Sequence, residues 1–459
     1  MMLDIIIKGN IVTPSSILKN GWIALSGGLI HSVGTGEAPA AHEVHDAGDA
    51  FVMPGVIDGQ THAGSYGGLP GIESTTRSAV AGGVTTIVDM PYDNPDPLST
   101  VAHFDAKVDA IKAHAHSNVA LYATIMPGQS IEDARALLEK GVVAFKISAF
   151  ESSPTRFPRI DTALALDLLE LLAQTDVPLG LHNEDQEIVR SRIERFRTQG
   201  EDGIHTHSPS RPPAAELAST AQFLELAAAA GAHAHIVHIS VPRGFELVDR
   251  YASEGFRATG ELCVHYLSFD PEIDGDALGA LMKVNPPIRP GQCSALWAEV
   301  ISGRVAFVSS DHSSWPVDNK KTASIFDAGA GVPGMQTLLP AFYTVAAANG
   351  CDAAQMTVAQ LSERPARFFG LWPRKGGLMP GADADIAIFE AIPASWDAAT
   401  AEDELCWSPY QGRTFAGQVR RTYVGGKLAW DGVAVINQPG DGQFVPRGNS
   451  RWFEEEESI

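Results

Sequence analysis

Eight short apolar runs, each followed by a longer stretch of helical periodicity, dominate the chain from residue 52 onward. In order they are VMPGVIDGQTH, GVTTIVDMP, VALYATIMP, VVAFKIS, PLGLHNED, AHIVHIS, RATGELCVH and RVAFVSSDH. Runs this short and continuously apolar read as buried strands, and segments such as TALALDLLELLAQ and AELASTAQFLELAAAA read as helices between them. The expected class is α/β, and eight strand–helix repeats are what a closed (β/α)8 barrel requires. A doubly wound open sheet is the alternative architecture.

The start of the chain has a different texture. DIIIKGNIVT, GWIALSGGLIHSVG and HEVHDAGDAFVM are short strands separated by Gly turns, with no helical period. GADADIAIFE, RRTYVGGKLAWDG and VAVINQ repeat that style near the end. Residues 1–53 and 376–459 are therefore expected to form one small β-sandwich beside a barrel of residues 54–375. The final WFEEEESI reads as a solvated acidic tail.

A chain of 459 residues can bury a core of barrel size and a smaller domain besides. Lys and Arg number 33 against 55 Asp and Glu, a formal charge of -22, which disfavours nucleic acid and anionic membranes as partners. Cys263, Cys293, Cys351 and Cys406 form no CxxC pair and fit thiols in a reducing cytoplasm. The opening MMLDIIIKGN lacks the basic segment of a secretory signal, and no apolar stretch reaches bilayer-spanning length.

Barrels carry their chemistry at the carboxyl ends of the strands. Five of the eight runs end in groups of the metal-ligand type: Gln60 and His62 on the first, Lys146 on the fourth, His182 on the fifth, His238 on the sixth and Asp311 on the eighth. Imidazole and carboxylate together suit a borderline divalent ion, Zn foremost, with Mn, Co or Ni as alternatives. A lysinium is no ligand. Lys146 either pairs with a buried acid or, as a neutral amine, takes up carbon dioxide to become an anionic carbamate, and the residues alone leave both readings open.

These motifs, in this order, resemble those of the cyclic amidohydrolases: allantoinase, hydantoinase or dihydropyrimidinase, and dihydroorotase. The resemblance covers nearly the whole chain and includes GVVAFKIS, GLHNED, SRPP, GELCVHYLSFD, KVNPPIRP and SSDHSSWP. Within the group GGVTTIVDMP, FPRID, GVPGMQTLLP and SPYQGRTFAGQVRRTYVGGK lean toward allantoinase, whereas AFESSP lacks the Tyr of dihydropyrimidinases and THAGSYGG the Arg of dihydroorotases. The resemblance implies one or two divalent ions per subunit. His62 and Asp311 would hold one, His182 and His238 the other, and a carboxylated Lys146 would bridge them.

It further implies attack on a ring amide by metal-activated hydroxide, with Asp311 as general base and then general acid. Asn285 and the backbone at Gly334 would grip a small cyclic amide, and the subunits would assemble as a homotetramer. Gln60 stands where the family has its first histidine, and an amide oxygen is a poorer donor to zinc than imidazole. HAGSYGGLPG also departs from the allantoinase loop, which keeps a hydantoinase, a dihydropyrimidinase or a cyclic imidase in play. A scaffold relative that has lost its catalysis is the alternative of another class.

Other polar groups read as bystanders. His205 and His207 are expected on a surface loop, His114 and His116 in a solvated connection, and His235 either supporting a ligand from behind or packed. His265 and Cys263 reach the rim without a ligand role. Asp89 is expected to order a ligand from behind, and Glu184 either to do the same or to cap a helix.

Overall fold

In a computed structural model, which describes residues 2–450 and 452–453, all eight runs become strands of one parallel ring. The glutamates of the acidic tail, at 454–457, lie outside the described residues. Val56–His62, Val84–Asp89, Asn118–Ala123, Ala144–Ser148, Leu179–His182 and Ala234–Ile236 are neighbours in chain order. The seventh strand is split into Ala258–Gly260 and Leu262–Cys263, and the eighth into Val308–Ser309 and His312–Ser313. Leu262–Cys263 pairs with Val308–Ser309, and His312–Ser313 pairs with the first strand through His312↔Thr61 and Ser313↔His62. That last pairing closes the ring and removes the open-sheet alternative.

The helices start and stop where the local chemistry dictates. Asp161 accepts from the Leu164 amide to cap Thr162–Leu172, and Asp185 accepts from Ile188 to cap Gln186–Gln199. Pro213 opens the long helix Pro213–Ala230, and Gly231 ends it with a φ of 73°. Inside the ring, a Cβ on Gly59 would lie 2.3 Å from Phe307, so only glycine lets the first and eighth strands pack this closely.

The two chain ends meet as expected. Leu3–Val12, Ile17–Ser26, Leu29–Thr35 and Ala41–Pro54 join Ile386–Glu390, Gln418–Val424 and Lys427–Trp430 in one seven-stranded sheet. Hydrogen bonding is continuous across all seven strands, because Ala41–Pro54 pairs parallel to Leu3–Val12 and antiparallel to Ile386–Glu390. Ile7, Ile23, Val52, Ile386, Ile388 and Tyr423 share its buried apolar core. VAVINQ contributes only the isolated bridge of Val435 to Trp430 rather than a strand. Ala41–Pro54 leads through Gly55 straight into the first barrel strand, so this sheet anchors the strand that carries Gln60 and His62. Among the described residues no helix is long and apolar enough to cross a membrane.

Candidate functional site

The carboxyl ends of the barrel strands surround a cavity of about 430 Å³ lined by Gln60, His62, Lys146, His182, His238, Asn285 and Asp311. Gly334 does not line it. Its amide N–H donates instead to His312 Nδ1 at 3.2 Å, and Gly331 lines the cavity in its place.

The converging groups form a trio and a pair. Asp311 Oδ1 accepts a hydrogen bond from Gln60 Nε2 at 2.8 Å and lies 3.3 Å from His62 Nε2, while His62 Nδ1 meets Ser65 Oγ at 3.1 Å. Across the cavity, His182 Nδ1 lies 3.0 Å from His238 Nε2. His182 Nε2 is 3.0 Å from Glu184 Oε2, which also takes Arg211 at 2.5 Å. Burial alone would push the Glu184 carboxyl up, but Arg211 and His182 hold it at about 2, so it is an ionised acceptor. The Nε2 proton of His182 therefore points at Glu184, and Nδ1 presents its lone pair to the cavity. Glu184 orders His182, and the capping role falls to its neighbour Asp185.

Charge states suit metal binding. Burial pushes His238 well below the usual imidazole range, helped by His182 and Lys146, and keeps it neutral. Burial would raise Asp311, yet His62 and Lys146 hold it below the ordinary carboxylate value. Lys146 is 1% exposed, forms no ion pair among the described residues, and lies 5.9 Å from each of the rings of Tyr92 and Phe157. Burial lowers its pKa, against the opposing pull of Asp311 and Glu261.

Backbone strain marks the same spots. His238 and Asp311 have φ of 41° and 49°, two of the five non-glycine residues with positive φ among those described. Such conformations persist only where surroundings hold them. Asp58, buried and pushed up to about 7 by burial, accepts from the Ser310 amide at 2.9 Å and from its hydroxyl, fixing the turn before Asp311. Asp89 does the same for the first strand, accepting from Ala63 N at 2.7 Å and Thr61 Oγ1 at 3.1 Å.

Sequence reasoning missed the walls. Tyr66, Tyr92, Phe150, Phe157, Trp315 and Phe326 line the cavity, with Tyr92 stacked on Phe157 at 3.6 Å. Tyr66 and Trp315 each lie four residues beyond a rim residue, His62 and Asp311, the one spacing that could have flagged them. Arg156 donates to Ser65 O at 2.6 Å and ties two of these loops together. Two expected surface histidines are buried: His207 hydrogen-bonds Val284 O at 2.9 Å, and His116 hydrogen-bonds Asn437 at 2.9 Å. Both find partners from distant segments. His205 is exposed beside Asp276, His114 faces Glu73, and His235 is packed against Phe307, as expected.

The donors fit a divalent ion. Among the described residues no three His, Cys, Asp or Glu groups form a single cluster, because these groups divide into His62 with Asp311 and His182 with His238, Lys146 being a further donor. Two imidazole nitrogens 3.0 Å apart approach the separation of about 3.3 Å between ligands of one tetrahedral ion. Gln60 Oε1, His238 Nδ1 and Asn285 Oδ1 are buried without protein partners.

Comparison with known proteins gives the family. The chain is 34% identical to an allantoinase of Rubrobacter xylanophilus, covering 96% of this chain and 97% of the relative. It is 29% identical to an L-hydantoinase of Paenarthrobacter aurescens, covering 98% of each. The solved L-hydantoinase (dihydropyrimidinase) from Arthrobacter aurescens superposes with a TM-score of 0.92 at 28% identity, over 97% of this chain and all of that one. Residues 51–429 match the profile of the Amidohydrolase family, and the chain belongs to that family.

Proposed function

We propose that this chain is a metal-dependent hydrolase that opens the C–N bond of a cyclic amide, most like allantoinase in acting on a hydantoin-type ring. The observation that carries the reading is the placing of Asp311 between Gln60 and His62, facing the His182–His238 pair across one cavity. His182, His238, Lys146 as a carbamate, His62 and Asp311 would hold the ion or ions, zinc by preference. A bound ion supplies Lewis acidity, making water a nucleophile near neutrality and polarising a ring carbonyl. Asp311, ionised by its surroundings, takes the proton of the attacking water and returns it to the departing amide nitrogen. Asn285 Oδ1, buried and unpartnered, accepts a hydrogen bond from a ring N–H.

A second reading, hydrolysis of hydantoins with an apolar substituent, is favoured by the six aromatic rings that line the cavity. The test is ring opening by zinc-supplemented protein on allantoin, substituted hydantoins, dihydrouracil and cyclic imides, with Asp311→Asn as the blank. Turnover confined to the wild type supports the reading and names the ring. Equal rates from both proteins, or none on any ring, would overturn it.

A further inference from the structure

We infer that each subunit holds a single divalent ion, at His182 and His238 with Lys146, and that the Gln60 amide occupies in its place the position a second ion would take beside His62 and Asp311. The inference rests on the proposed metal-dependent reaction and concerns how many ions that reaction uses.

Gln60 is fully buried on the first barrel strand, and its Nε2 donates to Asp311 Oδ1 at 2.8 Å. His62 Nε2 faces the same oxygen at 3.3 Å. A carboxylate oxygen offers two lone-pair directions, and on Asp311 Oδ1 one of them already accepts from Gln60. Imidazole at position 60 could give a lone pair to an ion while leaving the carboxylate free to do likewise. An amide cannot do both here. With Nε2 held by Asp311, only Oε1 remains as an atom able to ligate an ion, and it has no protein partner. Turning Oε1 to the Asp311 side, where that ion would sit, would strip Asp311 of its hydrogen bond and leave a buried N–H₂ unpaired, for a ligand that zinc binds poorly.

The opposite pair carries no such conflict. His182 is already turned by Glu184 so that Nδ1 faces His238 Nε2 at 3.0 Å. Gln60 thus substitutes a hydrogen bond for an ion and holds Asp311 ready as a base.

The test is metal stoichiometry, read without substrate. Apo protein is dialysed to equilibrium against Zn²⁺ and analysed for metal, and a parallel Co²⁺ titration is followed by visible absorption. Wild type is expected to take up one ion per chain in one phase, and Gln60→His two. His62→Asn should retain the single ion, whereas His238→Asn should lose it. Two ions bound with similar affinity by wild type would overturn the inference, as would loss of an ion in His62→Asn. Should Gln60→His fail to fold, the His62 and His238 variants decide the matter alone. Because no turnover is measured, inactivity toward every ring would leave the ion count readable.

Discussion

The indole of Trp315 lies against the ring of Tyr66, with centroids 3.9 Å apart and planes inclined by 42°, joining the loops after the first and eighth strands at the cavity wall. Trp315 Nε1 donates to Ala330 O at 2.6 Å, and a Cβ on Gly329 would come within 3.0 Å of the indole. The wall is therefore a seated aromatic pair.

Removing it should cost selectivity more than chemistry. Trp315→Ala loses an aromatic contact worth about 0.5–1.5 kcal/mol, so preference for a benzyl-substituted over an unsubstituted hydantoin should fall about 2–10-fold. The ratio of the two kcat/KM values measures this, and an unchanged ratio would remove Trp315 from the specificity argument.

Glu184 aligns His182 and neutralises the buried Arg211. Glu184→Gln should weaken zinc binding by about 10–100-fold, the usual cost of losing an outer carboxylate partner. It should also destabilise the fold by about 3 kcal/mol, because Arg211 keeps its charge at 7% side-chain exposure. Competition against a chelator reads the first effect and urea unfolding of the apo protein the second.

Lys283 gathers a wall segment. Its Nζ donates to Ile325 O at 2.5 Å and Ala328 O at 2.6 Å, while Phe326 and Ala328 line the cavity. Lys283→Met should raise KM about tenfold with a smaller change in kcat, and speed hydrogen exchange of amides 325–331. Slow exchange in the variant would show that the segment holds its shape without the clamp.

His233, buried between Phe368 and Phe453 and hydrogen-bonded to Thr259 Oγ1 at 2.8 Å, is pushed down from 6.5 to about 3, first by burial and then by Arg257. The unfolded chain then binds a proton that the fold refuses, so stability is full above pH 6.5 and falls as pH drops toward 3. At pH 5 the loss is about 2 kcal/mol. His233→Gln keeps a donor for Thr259 and should shrink the difference in unfolding free energy between pH 7 and pH 5 by that amount. An unaltered difference would place the acid sensitivity elsewhere.

Much of this was readable in advance for a physical reason. Strand ends of a barrel converge, so Lys146, His182, His238 and Asp311 could be assigned to one rim from their positions in apolar runs. Tyr66 and Trp315 could not be paired that way, since their loops have no period. His116 and His207 look like loop residues until Asn437 and Val284 arrive to bury them. Gly334 sits in a motif that suggested a substrate contact, but the His312 ring takes its N–H.

Strand count, helix alternation and the chemistry of the rim are local properties of composition and spacing, and the amino-acid order alone determined them. Which atom of Gln60 meets Asp311, which nitrogen of His182 faces the cavity, and which aromatic rings wall it depend on contacts between residues far apart in the chain. Those directions were decided by closure of the ring, which brings Asp311 beside a strand 251 residues earlier. Once the ring closes, a buried carboxylate accepts whichever donor packing presents, and that choice is made only in the folded protein.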